Sequence, residues 1–271
     1  MTKTRRTTAL LGAVLATAAV AAPAADAAGK GQLDPAIYDA EIPAGVVEHG
    51  VVSLDITGSP APQDDLTEYW ATNTRWRSIT RDKSDGTLLR EAWGDEHGTT
   101  YFTHKQRPQP NLKVPKGAPR PEDMPKLMAT KHRSTPPLAG WTPAYNRNLV
   151  TKGLLSPLSP VTIAGIAGTL YVVPQDRKTT DPDKVGQDWV TDDTSGRTEI
   201  ALENGTFAPL VRQTSRPNNG EYGTFVQREE LVSRERITDY SALREKLSYA
   251  AKRKKIKAFK AKIAAAKKRS R

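Results

Sequence analysis

The sequence predicts an α+β protein, built on antiparallel strands and ending in a basic helix. Three observations predict it. First, residues 68–105 alternate strand-forming aromatics and threonines with two breaks, Asp82-Lys83-Ser84-Asp85-Gly86 and Gly94-Asp95-Glu96-His97-Gly98. Asp-Gly pairs supply the positive φ of tight reversals, so this stretch predicts a meander. Second, alternating segments resume after residue 160, and Asn204-Gly205 signals another hairpin. Third, at Asp239 the pattern changes to helix, with Leu243 and Leu247 at i and i+4 behind a capping Asp239 or Ser241.

The elements follow in chain order. Lys3, Arg5 and Arg6 precede an apolar run over residues 9–22, then Pro23 and Ala25-Asp26-Ala27. This is the layout of a secretory signal cleaved near Ala27, by either the general or the twin-arginine route. The run is too short for a permanent membrane span. Val51-Val52-Ser53-Leu54-Asp55-Ile56-Thr57 alternates with period two, which predicts a half-buried strand. In the meander, Trp70 and Trp76 share one parity and Arg75, Arg77 and Arg81 the other, so a single strand here would be apolar on one face and charged on the other.

Residues 105–160 form a Pro-rich insertion. Eleven of the twenty prolines fall between Pro108 and Pro160, and proline removes backbone donors, so this segment predicts an irregular cover with one short helix over residues 144–155. Strands are predicted over residues 161–165, 169–173 and 197–203, with an acidic loop over 179–196. Residues 210–216 and 221–236 complete a second meander, turning at Pro217-Asn218-Asn219-Gly220. The domain reading is a signal segment (1–27), a sheet domain (28–240) and a basic helix or tail (241–271).

Charge is concentrated at the end of the chain. The formal net charge is +11, yet residues 28–251 carry 27 bases and 29 acids. Residues 252–271 hold eleven Lys or Arg and no acid. Electrostatic partners therefore belong to Lys252, Arg253, Lys254, Lys255, Lys257, Lys260, Lys262, Lys267, Lys268 and Arg269. Ile256, Phe259 and Ile263 fall at i, i+3 and i+7, a narrow apolar stripe in a basic surface. This suits an anionic membrane surface, and wall polyanions, extracellular nucleic acid or a solubilising tail are the alternatives.

Little points to catalysis. The chain has no cysteine, which excludes disulfides, thiolate metal sites, a thiol nucleophile and a cysteine-borne lipid anchor. His49, His97, His104 and His132 are scattered without metal-ligand spacing. The run Asp181, Asp183, Asp188, Asp192 and Asp193 lacks the spacing of a calcium loop. No Gly-x-Ser-x-Gly and no phosphate-cradling glycine loop occurs, so no cofactor is expected. A hydrolase assembled from loop acids and His97 is the weakest of the functional readings. The aromatics are ambiguous: Tyr69, Trp70, Trp76, Trp93, Tyr101 and Phe102 are either a sheet core or the wall of an apolar cavity.

Local matches then suggest a family. An early strand over residues 46–57 is followed by Glu68-Tyr69-Trp70, Arg75-Trp76-Arg77 and Asp85-Gly86 before Leu88-Leu89-Arg90-Glu91. Later come Ile163-Ala164-Gly165 before Thr169-Leu170-Tyr171-Val172-Val173, and Glu199-Ile200-Ala201-Leu202-Glu203 before Pro209-Leu210-Val211-Arg212. Together these resemble the lipoprotein-carrier superfamily (LolA, LppX and RseB N-terminal-like), in its secreted form from high-GC Gram-positive bacteria. The resemblance implies a strongly curved antiparallel half-barrel whose covered concave face binds a lipid or other amphiphile, without enzymatic activity. On that expectation the six aromatics line the cavity and the tail holds the protein near an anionic envelope surface. The alternative of another class is a structural or adhesive module with a filled core that binds polyanions through its tail.

Overall fold

The computed structural model describes residues 41–106, 124–131, 134–139, 142–172, 196–217, 223–239 and 241–269, all within one compact unit, Leu33–Arg271. The signal-like segment, the acidic run at 181–193 and His132 lie outside the described residues. Eleven antiparallel strands form one curved, open sheet: β1 (Val47–Thr57), β2 (Gln63–Ala71), β3 (Trp76–Asp82), β4 (Leu88–Asp95), β5 (Gly98–Thr103), β6 (Lys126–Thr130), β7 (Ser156–Ile163), β8 (Ile166–Val172), β9 (Arg197–Glu203), β10 (Pro209–Arg216) and β11 (Phe225–Ile237). Their order is β6-β5-β4-β3-β2-β1-β11-β10-β9-β8-β7, so β1 and β11 pair at the centre and β6 and β7 are the edges. Three helices complete the fold: α1 (Pro143–Thr151), α2 (Ser241–Lys246) and α3 (Tyr249–Arg269).

The reversal expected at Asp82–Gly86 forms where its turn residues stand, whereas the one expected at Pro217–Gly220 lies, from Asn218 on, outside the described residues. Asp82 Oδ1 accepts from Ser84 N and Asp85 Oδ1 from Thr87 N, and Gly86 takes φ +70° between β3 and β4. Asx turns of this kind mimic a backbone turn. The β7–β8 reversal comes earlier than expected: Ala164 (φ +51°) and Gly165 (φ +76°), read from the sequence as the end of a strand over 161–165, form the two-residue turn, and their positive φ values match the twist of a hairpin.

Two expectations need correction. The stretch holding Trp70 and Trp76 is two strands, not one. Thr72-Asn73-Thr74-Arg75 turns between them, with Thr72 N donating to Arg75 O at 2.7 Å and Arg75 N to Thr72 Oγ1 at 3.0 Å. Ala71 then pairs with Trp76 and Trp70 with Arg77, so the two tryptophans lie on opposite faces. The insertion is also more regular than expected. It contains β6, α1 and the start of β7, and Pro157 and Pro160 are tolerated because β7 is an edge strand.

Across β1–β5 the register separates the two faces. One carries the rows Gly50–Tyr69–Ser78–Ala92–Tyr101 and Glu48–Ala71–Trp76–Gly94–Thr99. The other carries His49–Trp70–Arg77–Trp93–Thr100 and Glu68–Ile79–Glu91–Phe102. The first face joins the main core, where Tyr69 and Trp76 pack with Val52, Leu138, Leu210 and Leu231. Gly50 and Gly94 make room for the large rings: a Cβ would stand 2.4 Å from the Tyr69 ring at Gly50 and 2.1 Å from Trp76 Nε1 at Gly94. Gly94→Ala is therefore expected to cost about 1–3 kcal/mol by overpacking, read as a lower urea midpoint at unchanged slope. An unchanged midpoint would show that the indole shifts freely.

Candidate functional site

The structure divides the six sequence-predicted aromatics into two groups of three. Tyr69, Trp76 and Tyr101 lie on the face covered by residues 134–139. Trp76 Nε1 donates to Ser134 O at 2.7 Å, the Tyr101 hydroxyl meets Ser134 Oγ at 3.0 Å, and Ser134 N donates to Thr99 Oγ1 at 2.9 Å. The cover is thus tied at Ser134, and Leu138 and Ala139 bury their side chains in the core beside Tyr69. Tyr69 and Trp76 are 0% and 1% exposed, so their rings are enclosed by protein on this face. The Tyr69 hydroxyl donates to Glu48 at 3.1 Å. Burial first, then the adjacent Glu48 carboxylate, pushes its phenol well above the usual range.

Trp70, Trp93 and Phe102 occupy the other face. Trp70 is partly exposed and stacks on His49 at 5.3 Å, and His49 sits between Glu68 (3.0 Å) and Glu235 (2.8 Å). Trp93 and Phe102 are buried beneath α3. There the apolar stripe read from the sequence is used: Phe259 meets Phe102 edge-on at 5.4 Å and His104 at 4.9 Å, with Ile256 and Ile263 alongside.

The basic helix docks through its own cations. Lys252 Nζ donates to Asp95 Oδ2 at 2.8 Å, with both side chains buried. Glu91 is 2% exposed and accepts from His104 (2.9 Å), Lys255 (2.5 Å) and Arg77 (2.9 Å). Burial would raise the Glu91 carboxyl, but the hydrogen bonds from His104, Lys255 and Arg77 outweigh it and hold the group far below the carboxylate range. Lys262 Nζ reaches His104 Nδ1 at 3.3 Å.

The remaining predicted cations stay outward. Arg253, Lys254, Lys257, Lys260 and Lys268 are exposed, while the side chains of Lys267 and Arg269 lie outside the described residues. Arg253, Lys257 and Lys260 recur at i, i+4 and i+7 and so share one helix face. No acidic residue occurs in α3 to neutralise them.

Between α2, the start of α3 and strands β3 and β4 lies a groove of about 550 Å³. No local sequence pattern predicts it. Arg77, Trp93, Ala251, Lys254, Lys255 and Ala258 are among its lining residues. Arg77 holds its guanidinium 4.9 Å above the Trp93 ring.

The histidines do not converge. His97 is exposed beside Glu96 at 3.8 Å, and no group of three or more potential metal ligands occurs among the described residues. Neither a protein-family model nor a curated protein matches the chain. Among solved structures it is similar to a chain of the Pseudomonas aeruginosa MucA/MucB complex, at 14% identity and TM-score 0.37, over 74% of this chain and 54% of that one. A structure of MucB matches at 13% identity and TM-score 0.38, over 79% of this chain and 59% of that chain. A LolA-superfamily protein from Nitrosomonas europaea matches at 9% identity and TM-score 0.28, over 74% and 90% of the two chains. The chain thus spans little more than half the length of the two Muc structures.

Proposed function

We propose that this is an extracytoplasmic, non-enzymatic protein that binds a lipid or other amphiphile and is held at an anionic envelope surface by α3. The division of labour among the cations of α3 carries the reading. Lys252 and Lys255 are spent on buried acids and fix the helix to the sheet, whereas Arg253, Lys257, Lys260 and Lys268 face outward in a helix free of acids. A helix docked by one set of cations presents the other set rigidly to an anionic surface, each contributing about 1 kcal/mol close to the lipid headgroups. The face bearing Tyr69, Trp76 and Tyr101 supports the amphiphile part. Its cover, residues 134–139, belongs to no strand of the sheet and is held by hydrogen bonds at Ser134 and Leu138 and by the burial of Leu138 and Ala139.

The test has two arms. The protein is expected to sediment with phosphatidylglycerol vesicles and not with phosphatidylcholine vesicles, with affinity falling as salt rises. Replacing Arg253, Lys257, Lys260 and Lys268 together by Gln should weaken that binding on the order of a hundredfold or more. Equal sedimentation with neutral vesicles would refute the surface role. In the second arm, mass spectrometry of protein purified from an envelope source should find an acyl-chain species in stoichiometric amount. One observation favours a second reading: the burial of Tyr69 and Trp76 describes a filled face. Lipid-free protein that still binds the anionic vesicles would establish that reading, a structural or adhesive module whose only ligand is a polyanion.

A further inference from the structure

From the groove beneath α3, we infer a second binding site on the sheet face opposite the 134–139 cover, built for one single-chain anionic amphiphile. The proposal rests on the amphiphile-binding reading for its ligand class, but it names a separate place. Three observations on the groove converge.

The first is its mixed lining. The Trp93 ring and Ala250, Ala251 and Ala258 give it an apolar wall, and its volume of about 550 Å³ lies within the range that encloses one small ligand. A free inorganic anion would leave that wall in water.

The second is charge. Arg77, Lys246, Lys254 and Lys255 line the groove against a single acid, Glu245. Arg77 and Lys255 share Glu91 beneath them, so two positive charges remain over the acids in contact. Lys246 and Lys254 are exposed and have no ion-pair partner among the described residues.

The third is an unfilled donor. Arg77 Nε is buried and has no hydrogen-bond partner among the described residues, although the same guanidinium donates Nη2 to Glu91 at 2.9 Å. Leaving a buried donor unmade is costly, and a small swing of the guanidinium, whose side chain is 20% exposed, would bring Nε to an anionic oxygen in the groove. The Trp93 face beneath the guanidinium holds this planar group close to that contact.

The geometry thus reads as a headgroup position at Arg77, Lys254 and Lys246 and a chain position along Trp93, Ala251 and Ala258. The helix that carries the chain wall also carries the surface cations, so the site opens beside the face that meets the envelope.

The probe is a dansyl-labelled undecanoate below its micellar concentration, with its methyl ester as the uncharged control. Binding is followed by dansyl fluorescence and by the Trp93 indole N–H in an ¹⁵N-tryptophan spectrum, assigned with Trp93→Phe. The expected result is saturable 1:1 binding that shifts the Trp93 signal, with the ester at least tenfold weaker. Lys254→Glu should weaken the carboxylate probe about tenfold and leave the ester unchanged. Ala258→Trp should abolish both. Lys152→Glu, an exposed position at the end of α1 and outside the groove, is the neutral control and should change neither. Circular dichroism and thermal melts confirm that the variants fold. Binding that is indifferent to Lys254→Glu and Ala258→Trp would place the probe elsewhere and overturn the proposal. Protein that binds anionic vesicles or carries co-purified lipid, yet takes no probe at Trp93, overturns the groove site alone and leaves the broader reading standing. If vesicle binding, co-purified lipid and probe uptake all fail, both readings fall.

Discussion

Glu91→Ala should free α3 from the sheet and lower the melting temperature by roughly 10 °C. Glu91 is buried among His104, Lys255 and Arg77, so its removal leaves three groups that donate toward an empty position. Breaking one partner of a buried ion pair typically costs about 3–5 kcal/mol, because the remaining charge stays desolvated. Part of that cost is avoided if α3 lifts away, which makes local undocking the expected response. Trypsin reads this directly, since residues 252–271 hold eleven Lys or Arg. The variant should be trimmed within α3 well before the body is cut, while the parent chain resists. Trypsin resistance and a melting temperature equal to the parent's would refute the role given to Glu91. The same carboxylate sets a pH dependence. Its folded-state pKa is depressed below the ordinary 4.5, so its contribution is present above that value and is lost as pH falls toward the folded-state value. Hydrogen exchange along α3 should therefore rise on acidification below about pH 4.5, and Glu91→Gln should remove most of that dependence.

The docking of α3 explains where sequence reading reached its limit. The helix, its apolar stripe and its charge are legible, because 3.6-residue periodicity and a run of lysines are local facts. What Lys252 and Lys255 do is not legible. Their partners Asp95 and Glu91 lie more than 150 residues earlier, one at the end of a strand and one within it. Nothing local separates a lysine that meets a buried acid from one that meets water, so all ten cations read alike.

The sheet shows the same contrast. Turns built on Asp-Gly, Asn-Gly and Gly-containing pairs were visible, and strands β4, β5, β8 and β9 fall between them. The Thr72–Arg75 turn has neither glycine nor proline and depends on the Thr72 hydroxyl, a weaker signal that let β2 and β3 read as one strand. Without that reversal, parity places Trp70 on the face of Trp76 rather than on the opposite one. β6 is not legible because Lys126-Leu127-Met128-Ala129-Thr130 has no alternation, being an edge strand exposed at Lys126, Met128 and Ala129. The groove under α3 could not be read at all, since it exists only after the docking that joins Arg77 and Trp93 to Lys254.

Trp76→Ala decides what the aromatic face is. Trp76 is 1% exposed, fills the space over Gly94 and donates Nε1 to Ser134 O at 2.7 Å. If the face is filled core, truncation removes both the packing and the anchor of the cover, and about 3–5 kcal/mol of stability should be lost. Trp76→Phe separates the two contributions. It keeps most of the ring but leaves the Ser134 carbonyl without this donor, at a cost of about 1–3 kcal/mol. A cavity wall behaves otherwise. Removing a ring that lines open space costs little stability and changes ligand binding, because the ring was packed against ligand or water rather than protein. Urea unfolding of the lipid-free protein, set beside uptake of an acyl-chain probe, distinguishes the outcomes. Lost stability in both variants, largest in Trp76→Ala, identifies Trp76 as core and requires the 134–139 cover to open before any amphiphile enters on that side. Unchanged stability with altered uptake would mean that the ring faces the ligand directly, and that the contacts closing this face are the first a ligand displaces.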